Sequence, residues 1–284
     1  MDKINNDFRS GRRRRQYNSH SCKGRGEMND SSEAISKIVR LLKDCKSVLF
    51  ITGAGISADS GLPTYRGIGG LYNDKLTEDG IPVEMALAGE TLQKQPAVTW
   101  KYLSQIEKNC RNARFNRGHE VIAEMEKHFE RAWVLTQNID GFHHAAGSRN
   151  VIDIHGDMHK LACMSCGWRG QVKDYSKIEI PPKCPDCAGI ARPEVVFFGE
   201  LLPQDKLTVL EQELRRGFDI YISIGTSSVF PYIQQPMALA SRLGRPTIEI
   251  NPEDTGISDL VDIKLRMPAA EALDAIWQYL QEGL

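Results

Sequence analysis

Residues 51–67 read ITGAGISADSGLPTYRG, which begins as a dinucleotide-binding fingerprint and then leaves that pattern. Gly53-Ala54-Gly55-Ile56-Ser57-Ala58 satisfies G-x-G-x-x-G/A, in which glycines permit a tight turn and main-chain N–H groups meet a pyrophosphate. An ordinary unit of this kind continues into a helix, a second strand and an acidic residue about twenty positions on that holds a ribose. Here Gly61, Pro63, Gly67, Gly69 and Gly70 interrupt any long helix, and the surroundings of Asp74 are not strand-like. By pattern alone, the loop is either an altered nucleotide pocket or a structural glycine turn.

The run that feeds the loop, SVLFIT at 47–52, is short, apolar and rich in β-favouring residues, which suits a buried parallel strand. Similar runs are AWVLTQ (132–137), NVIDIH (150–155), DIYISIG (219–225) and PTIEIN (246–251), with helical periodicity at 118–128, 203–215 and 269–281. Such alternation predicts an α/β fold around a parallel sheet. In these sheets ligands bind beyond the carboxyl ends of the strands. The residues expected to converge there are GAGISADSG, NID, His155 with Gly156, GTSS, and Asn251.

A second pattern is chemical. CMSC (163–166) and CPDC (184–187) form two C-x₂-C pairs separated by seventeen residues, the spacing of a four-thiolate zinc site. Cys163, Cys166, Cys184 and Cys187 would fill a tetrahedral shell and leave no position for water, so one structural zinc is expected, with Trp168 capping its small core. A redox dithiol and unrelated cysteines are the competing readings. Cys22, Cys45 and Cys110 read as ordinary reduced thiols.

His155, at a strand end beside the crevice, is a candidate base, because a neutral imidazole can accept a proton near physiological pH. His143 and His144 in GFHHAAG read as capping or packing residues. The chain has 284 residues, 41% apolar content, 26% charge and a net charge of −1. It can bury a large core, and it carries no global pull toward nucleic acid. No apolar run approaches the roughly 18 residues that span a bilayer, and the N-terminus lacks a secretory h-region, so a soluble cytoplasmic protein is expected.

Residues 1–30 are polar, with Arg12 to Arg15 in a row, and are read as a disordered basic tail ahead of a helix of about three turns from Glu33. The tail is a nucleic-acid or membrane-surface arm, a solvated extension without a role, or a segment upstream of a true start at Met28.

GAGISADSGLPTYRG, TQNIDGFHHAAG, IHG, the paired CxxC motifs, RPEVVFFGE, GTSS and EINPE occur together and in this order, and so arranged the chain from about residue 33 to the C-terminus resembles the bacterial sirtuins. The resemblance implies a Rossmann-like core with a small zinc-ribbon and helical domain inserted, built from about 66–117 and 156–194 within a catalytic domain of 31–284. It implies an NAD-dependent protein lysine deacetylase in which NAD is a consumed co-substrate. The acetyl oxygen attacks the anomeric carbon as nicotinamide leaves, His155 then activates a ribose hydroxyl, and the acetyl group ends on ADP-ribose.

By the same resemblance, Gly53, Ala54, Gly55 and Ser57 belong to the phosphate loop, and Asp59, Tyr65 and Arg66 to a flexible segment over the nicotinamide ribose. Gln137, Asn138, Ile139 and Asp140 line the nicotinamide pocket. Gly225, Thr226, Ser227, Asn251 and Glu253 meet the remaining phosphate and the adenosine side. Val196, Phe197, Phe198 and Gly199 pair with an acetyl-lysine peptide as an added strand.

Two positions depart from the family pattern. Tyr65 stands where phenylalanine is usual. Sirtuins that remove succinyl or malonyl groups carry a tyrosine and an arginine three residues apart, whereas here Tyr102 is followed by Gln105, with Arg111 and Arg114 the arginines that could reach in, so an uncharged acyl group is expected. The alternatives are a mono-ADP-ribosyltransferase using the same crevice, a deacylase for another uncharged acyl group, and, more remotely, a zinc-knuckle nucleic-acid binder. The expected partners are acetyl-lysine proteins or peptides, with no nucleic acid, membrane or partner subunit.

Overall fold

The structure is a computed structural model that describes residues 23–63 and 76–283, with side chains from residue 31 onward. The Arg12–Arg15 run, Cys22, Tyr65 and Arg66 lie outside the described residues. Along the chain the elements are α1 (Lys23–Lys43), β1 (Ser47–Thr52), α2 (Ala54–Ala58), α3 (Val83–Ala86), α4 (Gly89–Lys94), α5 (Pro96–Cys110), α6 (Arg117–His128), β2 (Arg131–Thr136) and α7 (Phe142–Ala145). There follow β3 (Val151–Asp153), β4 (Gly156–Cys163), β5 (Arg169–Gln171), β6 (Ala191–Val195), α8 (Gln204–Arg216), β7 (Ile220–Ile224), α9 (Pro231–Arg242), β8 (Thr247–Ile250), β9 (Ile263–Leu265) and α10 (Ala269–Glu282).

β1 is buried along its whole length and lies at the centre of a sheet ordered β3-β2-β1-β7-β8-β9, parallel at every pairing. Its side chains alternate between two cores. Val48 and Phe50 join Ile38, Leu42, Ile122, Met125, Leu273 and Ile276 on the α1, α6 and α10 side, while Leu49 and Ile51 join Leu210, Phe218, Ile233 and Met237 on the α8 and α9 side. Burial on both faces is why these strands read as continuous apolar runs. The start of α6 is set by a capping box, with Asn116 accepting from Gly118 N and His119 Nδ1 accepting from Asn116 N.

A second sheet, β5-β4-β6, is antiparallel and packs with α3 and α5 around Leu87, Leu92, Trp100, Leu103, Met158, Leu161 and Tyr175, with Trp168 against its edge. Trp100 Nε1 donates to the Ala191 carbonyl at 3.0 Å, which ties α5 to β6.

Two expectations change here. The first helix begins at Lys23, so residues 23–30, assigned to the tail, are helical backbone and Met28 falls inside α1. The cap-type residues Asp30, Ser31 and Ser32 sit within a helix, where they carry only a few tenths of a kcal/mol of penalty each. A sixth strand of the parallel sheet, β9, was not foreseen, because a three-residue edge strand containing Lys264 gives no periodic signal. Among the described residues no helix is long and apolar enough to cross a membrane.

Candidate active site

The carboxyl ends of the parallel strands meet as the periodicity requires, held by hydrogen bonds between loops. Gly53 N donates to the Ile224 carbonyl, Gly55 N to the Gly225 carbonyl at 2.7 Å, and Gly225 N to the Ile250 carbonyl. This approach explains two glycines. A Cβ on Gly55 would stand 2.6 Å from Gly225 Cα, and Gly225 itself adopts φ +57°. Side chains complete the weave, since Gln137 Nε2 donates to Thr226 Oγ1 at 2.7 Å and Asn251 Nδ2 to the Thr226 carbonyl at 3.2 Å. Buried Asn138 reaches the Gly53 carbonyl and Ser57 Oγ.

Above these loops lies a cleft of about 770 Å³, lined by Gly53, Ala54, Gly55, Asp59, Gln137, Asn138, Ile139, His155, Val196 to Gly199, Gly225, Thr226, Ser227, Asn251 and Glu253. A volume of this size suits a dinucleotide together with part of a second substrate. Ser57 and Asp140 line a small adjoining recess with Asn138, Ile139 and Cys110. Asp140 accepts from Ser57 Oγ at 2.8 Å and from Phe142 N at 3.0 Å; burial pushes its carboxyl pKa up, against those two donors.

Asp59 is anchored at the end of α2. It caps the C-terminus of α2 and accepts from Ala270 N at the start of α10. At the end of β8, buried Glu249 accepts from Ser258 Oγ, Thr255 Oγ1 and Lys264 Nζ, pinning the loop that carries Asn251 and Glu253.

His155 projects into the cleft from the end of β3. Its Nδ1 lies 3.0 Å from the Gln137 carbonyl. A carbonyl only accepts, so Nδ1 carries the proton and Nε2 keeps a lone pair. Nε2 is 2.6 Å from Tyr232 Oη, which donates to it. Burial lowers the imidazole pKa, the Gln137 bond raises it, and the charge of Lys206 lowers it, with a downward result. The ring is therefore a neutral base facing the cleft. His143 instead is buried against Thr52 Oγ1 at 2.9 Å, and exposed His144 stands 4.0 Å from Asp153, in line with structural roles for both.

The strip 196–199 is braced rather than open on every side. Phe198 N donates to the Leu87 carbonyl, the Phe198 carbonyl accepts from Gly89 N, and Val196 N donates to the His155 carbonyl. Glu200 accepts from Phe197 N and holds Arg192 through two hydrogen bonds, of 2.6 and 2.8 Å.

On the opposite wall, α5 turns Leu103 and Ile106 toward the cleft beside Leu87 and Ile139. The pair singled out from sequence, Tyr102 and Gln105, is one residue out of phase with this face. Tyr102 Oη bonds Asp79 at 2.6 Å, and Arg111 is held by Glu107. The i,i+3 spacing of Leu103 and Ile106 was visible, but the rotational phase of the helix was not. Tyr232, also missed, follows the GTSS loop by only a few residues and sits in the first turn of α9.

The four cysteines come together with all Sγ atoms within 4.8 Å of one another, including Cys163 to Cys187 at 3.5 Å and Cys166 to Cys184 at 3.6 Å. A tetrahedral ion with Zn–S bonds of about 2.3 Å needs sulfur separations of about 3.8 Å, so the group fits a structural zinc. Main-chain N–H groups of Ser165 and Cys166 point at Cys163 Sγ, as a thiolate requires.

A parallel sheet whose strand-end cleft faces a cysteine-clustered antiparallel sheet defines a dinucleotide-site protein stabilised by a metal module. Comparison with known proteins gives the particular family: the Sir2 family model matches residues 53–231, and the chain belongs to that family. A relative from Pseudomonas aeruginosa named NAD-dependent protein deacylase 2 is 45% identical over 254 residues, covering 88% of this chain and 99% of the relative. A protein of the same name from Pseudomonas syringae pv. tomato is 46% identical over 235 residues, 82% of this chain and 94% of the relative. Among solved structures, a Sir2 homolog–NAD complex aligns with a TM-score of 0.78 at 34% identity over 87% of this chain and 94% of the other. A Sir2–p53 peptide–NAD+ complex aligns with a TM-score of 0.74 at 27% identity over 88% and 98%.

Proposed function

We propose that this protein is an NAD-dependent protein lysine deacetylase that releases nicotinamide and O-acetyl-ADP-ribose. The observation that carries the reading is the neutral His155, its Nε2 lone pair aimed into a cleft bounded by the glycine-turn strand ends on one side and the 196–199 strip on the other. NAD, when bound, supplies the leaving nicotinamide and the ribose that receives the acyl group. The backbone of Gly53 to Gly55 and of Gly225 to Ser227 meets its phosphates, and the Ser57–Asn138–Asp140 recess takes the nicotinamide end. Tyr65 and Arg66 belong to the same proposal. His155 Nε2 takes the proton of the ribose hydroxyl, and Gln137 keeps the imidazole in the tautomer that can do so.

The acyl-lysine peptide lies along Val196 to Gly199, where among the described residues the Val196 and Gly199 carbonyls receive no hydrogen bond and are free to pair with a strand. The Rossmann-like core and a smaller unit, from about 66–117 and 156–194, enclose the cleft between them, and acylated proteins are the partners. We place the protein in the cytoplasm, where reduced thiolates persist as zinc ligands.

The test is to incubate the protein with NAD and an acetyl-lysine peptide while following nicotinamide and peptide mass together. One acetyl lost per nicotinamide supports the reading. Nicotinamide release with ADP-ribose attached to protein, in the absence of any acetyl-lysine, overturns it.

The apolar wall of Leu87, Leu103 and Ile106 sets the acyl class. A succinyl carboxylate placed there is desolvated without a cation among the described lining residues, at a penalty of a few kcal/mol or more. Acetyl-lysine peptides, or others with an uncharged acyl group, are expected to exceed succinyl-lysine peptides in kcat/KM by about 100-fold, 1.4 kcal/mol corresponding to tenfold. Equal rates on the two would refute the assignment of this wall to the acyl group.

A further inference from the structure

The ligand-free base is already hydrogen-bonded, and its partner is a residue that belongs to none of the motifs above. Tyr232 Oη lies 2.6 Å from His155 Nε2. The ring is mounted on a rigid element: Pro231 opens α9, and the next residue, Ile233, is fully buried in the core beneath. Phe230 and Tyr232 stack with centroids 5.5 Å apart at 14°, and the His155 ring stands edge-on to both, at 6.0 and 5.8 Å. Both aromatic residues line the cleft.

A buried nitrogen lone pair without a donor carries a desolvation penalty, and the phenol removes it. Under the deacetylase reading, on which this inference rests, the same lone pair must accept from a ribose hydroxyl during turnover. The Tyr232 hydroxyl thus stands where a substrate hydroxyl has to arrive.

We infer that Tyr232 is a positioning residue for the His155 base: its hydroxyl donates to Nε2 in the ligand-free enzyme, keeps the ring in its productive tautomer and orientation, and yields that lone pair to the substrate hydroxyl. No proton is transferred between Tyr232 and His155 in this role. Among the described residues, the charge acting on the ring is that of Lys206 from α8, whose Nζ is held by the carboxylate and the carbonyl of Asp153 in β3. Among the described residues, the donor at hydrogen-bond distance from Nε2 is the Tyr232 hydroxyl.

A donor to Nε2 stabilises only the unprotonated imidazole, so removing it raises the pKa of His155. The experiment follows the ring signals of the full-length, ligand-free protein labelled at its histidines, with His155→Ala providing the assignment, and compares wild type with Tyr232→Phe and Tyr232→Ala. Tyr232→Phe retains the ring stack and is expected to move the His155 midpoint upward by about 0.5–1 unit. The acid limb of kcat/KM is expected to follow it, with a loss of about three- to tenfold at pH values below both midpoints.

Superimposed His155 titrations for wild type and Tyr232→Phe, with only Tyr232→Ala displaced, would reduce Tyr232 to a packing residue. Nitrogen shifts in the wild type that placed the proton on Nε2 would also overturn the proposal, without recourse to any variant. The titration needs no turnover, so a shift in a wild-type protein that fails to deacetylate would leave this inference standing and remove the functional reading instead.

Discussion

His155→Ala is expected to lower deacetylation by about 10²–10⁴-fold, the range by which a positioned general base accelerates proton transfer. The loss falls on kcat, because the glycine loops and the Thr226–Asn251 pairing that shape the cleft floor do not involve the imidazole. The variant leaves the Gln137 carbonyl and Tyr232 Oη without their ring partner, so its melting temperature should be measured alongside, and a modest decrease does not account for a loss of this size. Nicotinamide release in the presence of acetyl-lysine should fall less than acetyl transfer does, since in the proposed reaction the base acts after the glycosidic bond breaks. The pH profile adds a signed check. Burial first, and then the Lys206 charge, hold the imidazole pKa below its ordinary 6.5 against the upward pull of Gln137. A base is active unprotonated, so wild-type activity should persist below pH 6.5 and decline only at lower pH. Retention of most deacetylase activity in His155→Ala would reassign the base.

Removing the metal should have an effect of comparable size by another route. The β4–β5–β6 sheet is small, and β5 has only three residues, so its apolar cluster with α3 and α5 offers little area to offset the entropy of ordering the loops between 163 and 191. Structural zinc sites contribute about 10–16 kcal/mol of binding free energy in peptides at neutral pH, which here is folding free energy for the segment. Cys184→Ser, or exhaustive chelation, is expected to release one zinc per chain and to abolish amide-exchange protection in β4 and β6 while β1 and β7 keep theirs. Activity should disappear with the protection, because β6 leads directly into Val196 to Gly199 and carries Arg192, the bidentate partner of Glu200. The failing outcome is specific: a metal-free protein with full activity and unchanged protection in 156–195 would show that packing alone holds this sheet.

Much of the site was legible in the linear chain because it resides at strand ends. A buried parallel strand announces itself as an uninterrupted apolar run, and the residue after it must face the crevice, so SVLFIT places Gly53 and NVIDIH places His155 there. Cysteine spacing was equally direct, since two knuckles bring four sulfurs together through local geometry. The errors share a different cause. Residues 23–30 were assigned to a tail because composition and capping pattern report on ends only when nothing else continues the helix. The sequence comparison of Tyr102 and Gln105 with a carboxylate clamp misses the cleft-lining Leu103 and Ile106, because the phase of α5 is set by Trp100 and Leu103 packing under β6 and Met158, contacts separated by many residues in sequence.

The amino-acid sequence by itself determined five strands of the parallel sheet, the residues at their carboxyl ends and the four clustered cysteines, because each follows from local periodicity or short spacing. Tertiary structure alone decided which face of α5 lines the cleft, that Asp59 is tied to α10, and that Tyr232 reaches His155 across 77 positions. Those outcomes depend on how helices rotate and dock against one another, and that is fixed by the packing of the whole core rather than by any residue's neighbours in the chain.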